Sequence, residues 1–215
     1  MKKTVLIIGA GEFGKHLANK LTELQNEVRV IDVDEAAIDA LSPDVEDTMI
    51  GDGRSMNVVK QLGVPNYDFV VVAVGNNFQA SLEITSNLKE CGARYILSQC
   101  QSDIQAKFLL MAGADKTVYS EKEAAEKVAL IYNEDGLIDY ISISEEYKIV
   151  KMKLPRAWAG HTLPELDIRK KFKLNLLAVD RGGKVSVPDL QFVFEESDLV
   201  LLLGESRQLS RFFRK

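Results

Sequence analysis

The sequence of 215 residues contains few cysteines and no long apolar run, and each shortage excludes a class of protein. Its two cysteines, Cys91 and Cys100, are too few for a disulfide framework and too far apart for a CxxC metal motif. No apolar stretch approaches the roughly 20 residues that a membrane-spanning helix needs, so we expect no direct insertion into a bilayer. The apolar stretch at residues 5–8 is too short for the core of a secretion signal. Together these features predict a cytoplasmic protein.

A basic surplus is also missing, which argues against a protein that binds nucleic acid. The formal net charge is −5, but the charge is divided unevenly along the chain. Residues 136–215 carry 14 Lys and Arg against 11 Asp and Glu, a net charge of +3, so residues 1–135 carry a net charge of −8. We interpret this change of sign as a domain boundary and predict two domains, at 1–135 and 136–215. A single domain with a polar loop is the alternative.

The first part of the sequence alternates short apolar runs with amphipathic stretches. Apolar runs typical of buried strands occur at residues 5–8, 28–32, 48–50, 68–74, 95–97 and 117–119. The stretches between them have apolar residues at helical spacing. This alternation with short connections predicts an α/β fold, a doubly wound parallel sheet of the Rossmann type. Ligands of such sheets bind at the carboxyl ends of the strands.

A glycine-rich loop follows the first predicted strand. Gly9, Gly11 and Gly14 form a GxGxxG pattern that opens a predicted helix, and Asp32 ends the next predicted strand. In this context Gly9 permits a tight turn, Gly11 lets a pyrophosphate approach the backbone, and Gly14 permits close helix–strand packing. The Asp32 carboxylate can accept hydrogen bonds from ribose hydroxyls and would repel a 2′-phosphate, which disfavours NADP. A glycine turn without a ligand is the alternative.

The C-terminal part has a different pattern. Strands are predicted at residues 137–143, 147–154, 174–179 and 185–187, some of them with the alternation of half-buried strands. A helix is predicted at 163–172, and Gly182 and Gly183 indicate a hairpin turn. The sequence therefore predicts a small α+β domain after the Rossmann domain.

A general acid or base for catalysis is not evident from the sequence. His16 follows the glycine loop too closely to belong to a substrate domain, and His161 lies in a predicted turn, where a loop residue is the simpler interpretation. We therefore predict that the chain is not an enzyme. A small NAD-dependent oxidoreductase is the alternative that the glycine loop and Asp32 leave open. A redox-sensing transcriptional repressor would need a basic winged-helix segment, which we do not find.

The N-terminal half resembles the RCK, or KTN, domains that regulate potassium channels and the Trk and Ktr transporters. The resemblance rests on the glycine loop, Asp32, the Gly-Asp-Gly at 51–53, the segment at 74–81 and the Ala-Gly-Ala-Asp at 112–115. The C-terminal part resembles the companion TrkA_C domain through residues 163–169, 176–183 and 198–204. Together the two similarities cover nearly the whole chain.

This resemblance implies a cytosolic gating subunit that forms a homo-oligomer, from a dimer to an octameric ring, beneath a membrane-embedded potassium-translocating subunit. Family members bind ATP, ADP or NAD(H) in the Rossmann cleft. Carried onto this sequence, the binding residues are Gly9, Gly11, Phe13 and Gly14 for the phosphates, Asp32 for the ribose, Asp52 near the adenine, and Gly75, Asn76 and Asn77 at the cleft floor.

Two positions depart from the family pattern. Glu12 stands where Ktr-like relatives carry an arginine that contacts the terminal phosphate, and Gln99 aligns with a lysine of some relatives. A carboxylate and an amide do not attract a third phosphate as cations do, so ADP, AMP or NAD(H) is expected to be favoured, with ATP left open. Glu121 matches a family glutamate that binds a divalent cation near the phosphates. The alternative is a carboxylate that stabilises a helix N-terminus.

Two further expectations concern ligands and partners of the chain. Helices predicted within 75–132 carry more apolar residues than the sheet of one subunit covers, which predicts a homo-oligomer. Some relatives bind cyclic di-AMP between C-terminal domains, and the basic cluster at Arg169, Lys170, Lys171 and Lys173 is a candidate for its phosphates. A solvated basic helix end is the alternative.

Overall fold

The computed structural model describes residues 2–41 and 43–214, and the chain divides into two compact units, Met1–Glu123 and Ala124–Lys215. The boundary between the units falls inside a helix, Ser120–Asn133. The division at 135/136 stays a prediction about the domain organisation. Among the described residues, no helix combines the length and the apolar character that crossing a bilayer requires.

The first unit contains a parallel six-stranded sheet. Its strands are β1 (Thr4–Ile8), β2 (Glu27–Asp32), β3 (Asp47–Ile50), β4 (Phe69–Val72), β5 (Ile96–Gln99) and β6 (Lys116–Val118). The helices are α1 (Glu12–Glu23), α2 (Glu35–Asp39), α3 (Met56–Gln61), α4 (Phe78–Glu90), α5 (Asp103–Ala112) and α6 (Ser120–Asn133). The strand order is β3-β2-β1-β4-β5-β6 with parallel pairing throughout, which confirms the predicted doubly wound sheet.

Strand β1 is buried on both faces because helices cover both sides of the sheet. Val5 and Ile7 pack with residues of α1 and α2, whereas Leu6 and Ile8 pack with residues of α3, α4 and α5. Successive side chains of a strand point to opposite faces, so an unbroken apolar run supplies both cores at once. The carboxyl ends of β1, β2 and β3 then lie side by side at one edge of the sheet.

The second unit contains a five-stranded antiparallel sheet. Its strands are β7 (Leu137–Ser142), β8 (Tyr147–Lys153), β9 (Asn175–Arg181), β10 (Lys184–Ser186) and β11 (Leu199–Glu205), in the order β10-β9-β11-β8-β7. Gly182 and Gly183 both have positive φ and join β9 to β10, so the predicted hairpin is confirmed. The helices are α7 (Leu163–Leu166), α8 (Ile168–Phe172) and α9 (Ser206–Phe213).

The prediction of one continuous helix at 163–172 is wrong. Asp167 adopts a φ of 45°, in the left-handed region, and this residue separates α7 from α8. A capping box at Thr162 and Glu165 begins α7. Apolar spacing continues across Asp167, so the pattern alone does not show that the backbone turns there.

An irregular segment at 187–198 connects β10 to β11, and Arg181 holds its C-terminal part. The guanidinium donates from Nε and Nη2 to the two carboxylate oxygens of Asp198, at 2.7 and 2.8 Å, and from Nη1 to Glu195 at 2.6 Å. It also lies over the Phe192 ring, 4.7 Å from the centroid. Asp198 is fully buried, and the Arg181 hydrogen bonds hold the pKa of its carboxyl below the usual range. We call this arrangement the Arg181 clamp.

Candidate functional site

The glycine loop joins β1 to α1 at the carboxyl edge of the parallel sheet. Gly9 has a φ of 111°, and a Cβ there would lie 2.6 Å from the Ala73 carbonyl oxygen. A Cβ on Gly14 would overlap the Gly9 carbonyl oxygen. The fold therefore requires glycine at both positions. L side chains rarely adopt the φ of Gly9, and no side chain at position 14 fits against the backbone of the loop.

Gly11 differs from these two because nothing lies within 4 Å of the position that its Cβ would take. It is the N-cap residue of α1, with an ordinary φ of −64°, and no side chain caps the helix by a hydrogen bond. The first-turn N–H groups of a helix have no intrahelical partners, and with the helix dipole they attract anions. Folding therefore does not require a glycine at position 11. A phosphate that approaches these N–H groups would require one, because a side chain would stand in its way.

Asp32 lies next to this loop at the end of β2. Its Oδ2 accepts a hydrogen bond from Ala10 N–H at 2.6 Å, and its Oδ1 accepts one from Asp34 N–H at 2.9 Å. These two bonds fix the plane of the carboxylate against the glycine loop. Each oxygen keeps further acceptor capacity, so the group can also receive two hydroxyl groups of a ribose.

A cavity of about 350 Å³ occupies this edge of the sheet. Six of the predicted site residues line it: Gly9, Gly11, Asp32, Asp52, Asn76 and Asn77. A hollow of about 470 Å³, lined among others by Arg29, Asp47 and Tyr67, lies at the opposite edge of the sheet. That hollow has neither a glycine loop nor a helix N-terminus, so the carboxyl-edge cavity, which we call the cleft, is the candidate site.

Asn76 and Asn77 end the connection between β4 and α4. Asn77 is the N-cap of α4, and its Oδ1 accepts a hydrogen bond from Ala80 N–H at 3.0 Å. This cap fixes the first turn of α4 against the cleft, and Ala80 lines the cleft as well. Both asparagines thus add polar groups to the lining of the cleft.

Arg54 is a site residue that the sequence analysis missed. Its Nε donates to Asp52 Oδ1 at 3.0 Å, its Nη2 donates to Asp52 Oδ2 at 2.8 Å, and its backbone N–H also donates to Oδ1 at 2.9 Å. These bonds hold the pKa of the Asp52 carboxyl below its usual range. Arg54 is the one cationic side chain among the described residues that line the cleft. The sequence contained a sign of this role, because Arg54 follows Asp52 by two residues in a loop at the ligand-binding edge of the sheet.

Three predicted residues of α1 do not line the cleft in the described structure. The exposed Glu12 carboxylate accepts a hydrogen bond from Lys15 Nζ at 2.6 Å and lies 3.6 Å from His16 Nε2. The Lys15 hydrogen bond lowers the pKa of Glu12. Phe13 packs with the α1-side core, and Gly14 lies beneath the loop. Their backbone N–H groups remain candidates for phosphate contacts, and the role of the Glu12 carboxylate stays a prediction.

The predicted residues Gly75, Gln99 and Glu121 form a separate group at the ends of β4, β5 and β6. The buried Gln99 side chain lies against Gly75, where a Cβ would be 3.0 Å from Gln99 Cδ. Gln99 Nε2 donates to Ser120 Oγ at 3.5 Å, and Ser120 Oγ donates to Glu121 Oε2 at 3.1 Å. The structure therefore connects these residues to one another rather than to the cleft lining.

Glu121, the predicted metal ligand, lies in the first turn of α6. Within residues 2–41 and 43–214, no three His, Cys, Asp or Glu side chains come together as metal ligands. A lone carboxylate at the start of α6 supplies at most part of the oxygen-rich ligand set that Mg²⁺ or Ca²⁺ takes. The divalent cation at Glu121 thus stays a prediction that needs ligands from a nucleotide or a second chain.

The basic cluster of the second unit lines a shallow hollow of about 390 Å³. Its lining residues are Asp167, Arg169, Lys170, Lys173 and Asn175. The left-handed residue Asp167 and the left-handed Lys173 delimit α8 and bring these side chains together. Lys171, which was predicted with them, donates instead to the Glu165 carbonyl oxygen at 3.3 Å.

Comparison with known proteins agrees with the two-unit architecture. The TrkA-N domain family matches residues 5–120, and the TrkA-C domain family matches residues 149–215. The Ktr system potassium uptake protein C of Bacillus subtilis (strain 168) is 36% identical over the whole of this chain and 98% of its own length. The Ktr system potassium uptake protein A of the same organism is 28% identical, over 98% of this chain and 95% of its own length.

Solved structures show the same fold at lower identity. The GsuK channel superposes with a TM-score of 0.71 at 18% identity, over 99% of this chain and 39% of the channel chain. A structure described as the GsuK channel bound to NAD superposes with a TM-score of 0.67, also at 18% identity, over 97% of this chain and 38% of that one. The two domain matches and the full-length similarity show that this chain, which combines a TrkA-N domain with a TrkA-C domain, belongs to the family of Ktr potassium uptake proteins.

Proposed function

We propose that this chain is a cytosolic regulatory subunit that gates a membrane-embedded potassium-translocating partner in response to an adenine nucleotide. The observation that carries the proposal is Gly11. Its open Cβ position leaves a helix N-terminus uncovered beside a fixed ribose acceptor, Asp32, in a chain that matches a Ktr potassium uptake protein along its whole length.

The cleft supports ADP, AMP or NAD(H) as its ligand. Asp32 favours a free ribose diol, and no cation among the described residues lines the cleft except Arg54, which Asp52 already binds. The GsuK channel, whose fold is similar, has a structure bound to NAD and another bound to ADP. Without a divalent cation, ATP is expected to bind no more tightly than these ligands, whereas a cation with Glu121 as one of its ligands would favour ATP.

Assembly is part of the same proposal. We expect a homo-oligomer, from a dimer to a ring, that lies at the cytosolic face of the membrane through its partner. The hollow lined by Arg169, Lys170 and Lys173 supports a second, phosphate-bearing ligand such as cyclic di-AMP in the C-terminal unit.

Deletion of the gene for this chain tests the function in cells. We expect the deletion to reduce potassium uptake at limiting external potassium, and expression of the wild-type chain to restore it. Mass spectrometry of the purified, denatured chain should identify an adenine nucleotide. Uptake that does not depend on the chain contradicts the gating role.

Titration calorimetry of Asp32→Ala tests the cleft. We expect the variant to bind ADP more weakly by about 1.5–3 kcal/mol, because a charged acceptor is lost. Unchanged affinity would show that the ribose is not bound at Asp32. The rival oxidoreductase function predicts turnover of a hydroxy acid or an aldehyde with NAD, and observing such turnover would contradict a purely regulatory role.

A further inference from the structure

The cleft extends beyond the ribose position toward the end of β3. In strand order, the glycine loop follows β1, Asp32 follows β2, and the segment at 51–54 follows β3. Val33, Ala37, Asp52 and Arg54 all line this extension. Ala37 packs with the core on the α1 and α2 side of the sheet, whereas the Arg54 carbonyl oxygen contacts α4, which packs on the other side. With the phosphates at the glycine loop and the ribose at Asp32, the base of a nucleotide comes to lie between these two sides.

Arg54 is held in one orientation on this side of the cleft. The bidentate contact with Asp52 fixes its guanidinium, and its carbonyl oxygen accepts a hydrogen bond from Asn87 Nδ2 of α4 at 2.9 Å. The side chain is half exposed, at 50%. A fixed, planar guanidinium with an open face can stack on an aromatic ring, which a flexible lysine ammonium cannot do in the same way.

We propose that Arg54, oriented by Asp52, forms one wall of the base subsite and stacks on the purine of the bound nucleotide. This inference rests on the proposed function, because it assumes that the cleft binds a nucleotide. It assigns two roles to two parts of the cleft. Arg54 sets the affinity for the base, whereas the glycine loop sets the response to the phosphates.

Calorimetric titration with AMP, ADP and ATP, without divalent metal, separates these roles. We expect Arg54→Gln to weaken all three nucleotides by a similar factor of about ten, which corresponds to about 1.4 kcal/mol of stacking on a partly desolvated cation. A phosphate contact would instead produce a loss that grows from AMP to ATP. We expect Arg54→Lys to recover little of the affinity, because lysine keeps the positive charge but lacks the planar guanidinium that stacks on the base.

Arg29→Gln provides a matched control. Arg29 donates from Nε to Asp47 at 2.8 Å, so this variant also removes an arginine–aspartate pair, but at the opposite edge of the sheet from the cleft. We expect unchanged nucleotide affinity for the control, and thermal unfolding of each variant establishes that it is folded.

The outcomes distinguish the proposed stacking of Arg54 on the base from the proposed function. If the wild-type chain binds nucleotides and folded Arg54→Gln binds them equally well, the proposed stacking of Arg54 is wrong. It is also wrong if the loss of affinity in Arg54→Gln grows with the number of phosphates. Recovery of full affinity by Arg54→Lys would also overturn it, since charge alone would then suffice. If the wild-type chain binds neither these three nucleotides nor NAD(H), the proposed function itself is contradicted.

Discussion

Gly9 and Gly11 belong to the same loop, yet different requirements act on them. We expect Gly9→Ala to destabilise the chain by about 1–3 kcal/mol, because φ is 111° and the new Cβ would meet the Ala73 carbonyl oxygen. We expect Gly11→Ala to cost less than about 1 kcal/mol, mainly from a poorer N-cap residue, since its Cβ position is open. Denaturant unfolding measures both differences.

Nucleotide binding should separate the two glycines further. A methyl group on Gly11 occupies the space in which a phosphate reaches the first-turn N–H groups, so we expect at least a tenfold loss of ADP affinity in a chain that remains folded. Wild-type affinity in Gly11→Ala would show that the phosphates bind elsewhere. Gly113→Ala, at a residue with a φ of 114° that ends α5 and does not line the cleft, is the control for a loss that comes only from instability.

Glu12 is predicted to decide how the chain responds to a third phosphate. We expect Glu12→Arg to improve ATP binding without divalent metal by about 1–3 kcal/mol and to change ADP much less, because a charge-assisted contact is gained. The structure adds one consideration, since Lys15 now pairs with Glu12 and would face the new arginine. Calorimetry with and without Mg²⁺ measures the selectivity.

Glu23→Arg is a matched control for Glu12→Arg. Glu23 pairs with Lys20 at 2.8 Å, the same i, i+3 arrangement at the other end of α1, so the control changes the charge equally without approaching the loop. An equal gain in both variants would indicate a general charge effect on the acidic N-terminal part. A metal-free wild-type chain that prefers ATP tenfold over ADP would contradict the interpretation of Glu12.

At the scale of elements, the Arg181 clamp should make the second unit sensitive to acid. Arg181 lowers the pKa of Asp198 in the folded chain, so the clamp contributes its full stability above the unfolded pKa of about 4. That contribution is lost as the pH falls from about 5 through the lowered folded pKa, because the folded carboxylate must then take up a proton. Unfolding followed by Trp158 fluorescence at pH 7 and below measures this loss.

Asp198→Asn should remove most of this acid dependence. We expect a destabilisation of about 2–3 kcal/mol at pH 7, below the 3–5 kcal/mol of a fully buried pair because Arg181 is 38% exposed. Asp139→Asn is the control, since it removes an exposed pair with Lys127. Equal acid sensitivity of wild type and Asp198→Asn would show that the clamp is not the cause.

A helix or strand can be predicted when the pattern of its residues reflects the conformation of its backbone. The apolar run of β1 and the glycine loop after it together predicted the strand, the turn and the start of α1. Burial explains the apolar residues of the strand, and the backbone freedom of glycine explains the turn. The break at Asp167 could not be predicted, since a left-handed aspartate leaves the apolar spacing unchanged. Helix α9 was also not predicted, although Leu209 and Phe212 have the spacing of a buried helical face.

At the scale of the site, the sequence predicted six of the residues that meet at the strand ends, but not the partners of the other predicted side chains. Gly11, Asp32 and Asn77 line the cleft because each follows a parallel strand closely. Glu12 and Gln99 were predicted from a resemblance, and the structure pairs them with Lys15 and with Ser120. Side-chain pairing depends on rotamers and neighbours that residue spacing does not record.

For the whole molecule, we predict a homo-oligomer in solution. Among the apolar residues of α4 and α5, Ile84, Leu88 and Leu109 are buried within the unit, whereas Phe108 and Met111 are 43% and 72% exposed. Exposed apolar side chains on one helix favour contact with another copy. Light scattering should give a mass at least twice 24.0 kDa. A monomer at micromolar concentration would contradict this prediction.

The most direct test of nucleotide-dependent gating is potassium uptake by cells whose only copy of this chain carries Gly11→Ala. The variant is chosen because the Cβ position of Gly11 is open, so the chain should still fold with an alanine there. We predict that Gly11→Ala accumulates as a folded protein, does not retain nucleotide, and fails to restore the nucleotide-regulated uptake that the wild-type chain restores. Full, normally regulated uptake by a Gly11→Ala chain that calorimetry shows to be free of nucleotide binding would contradict the account.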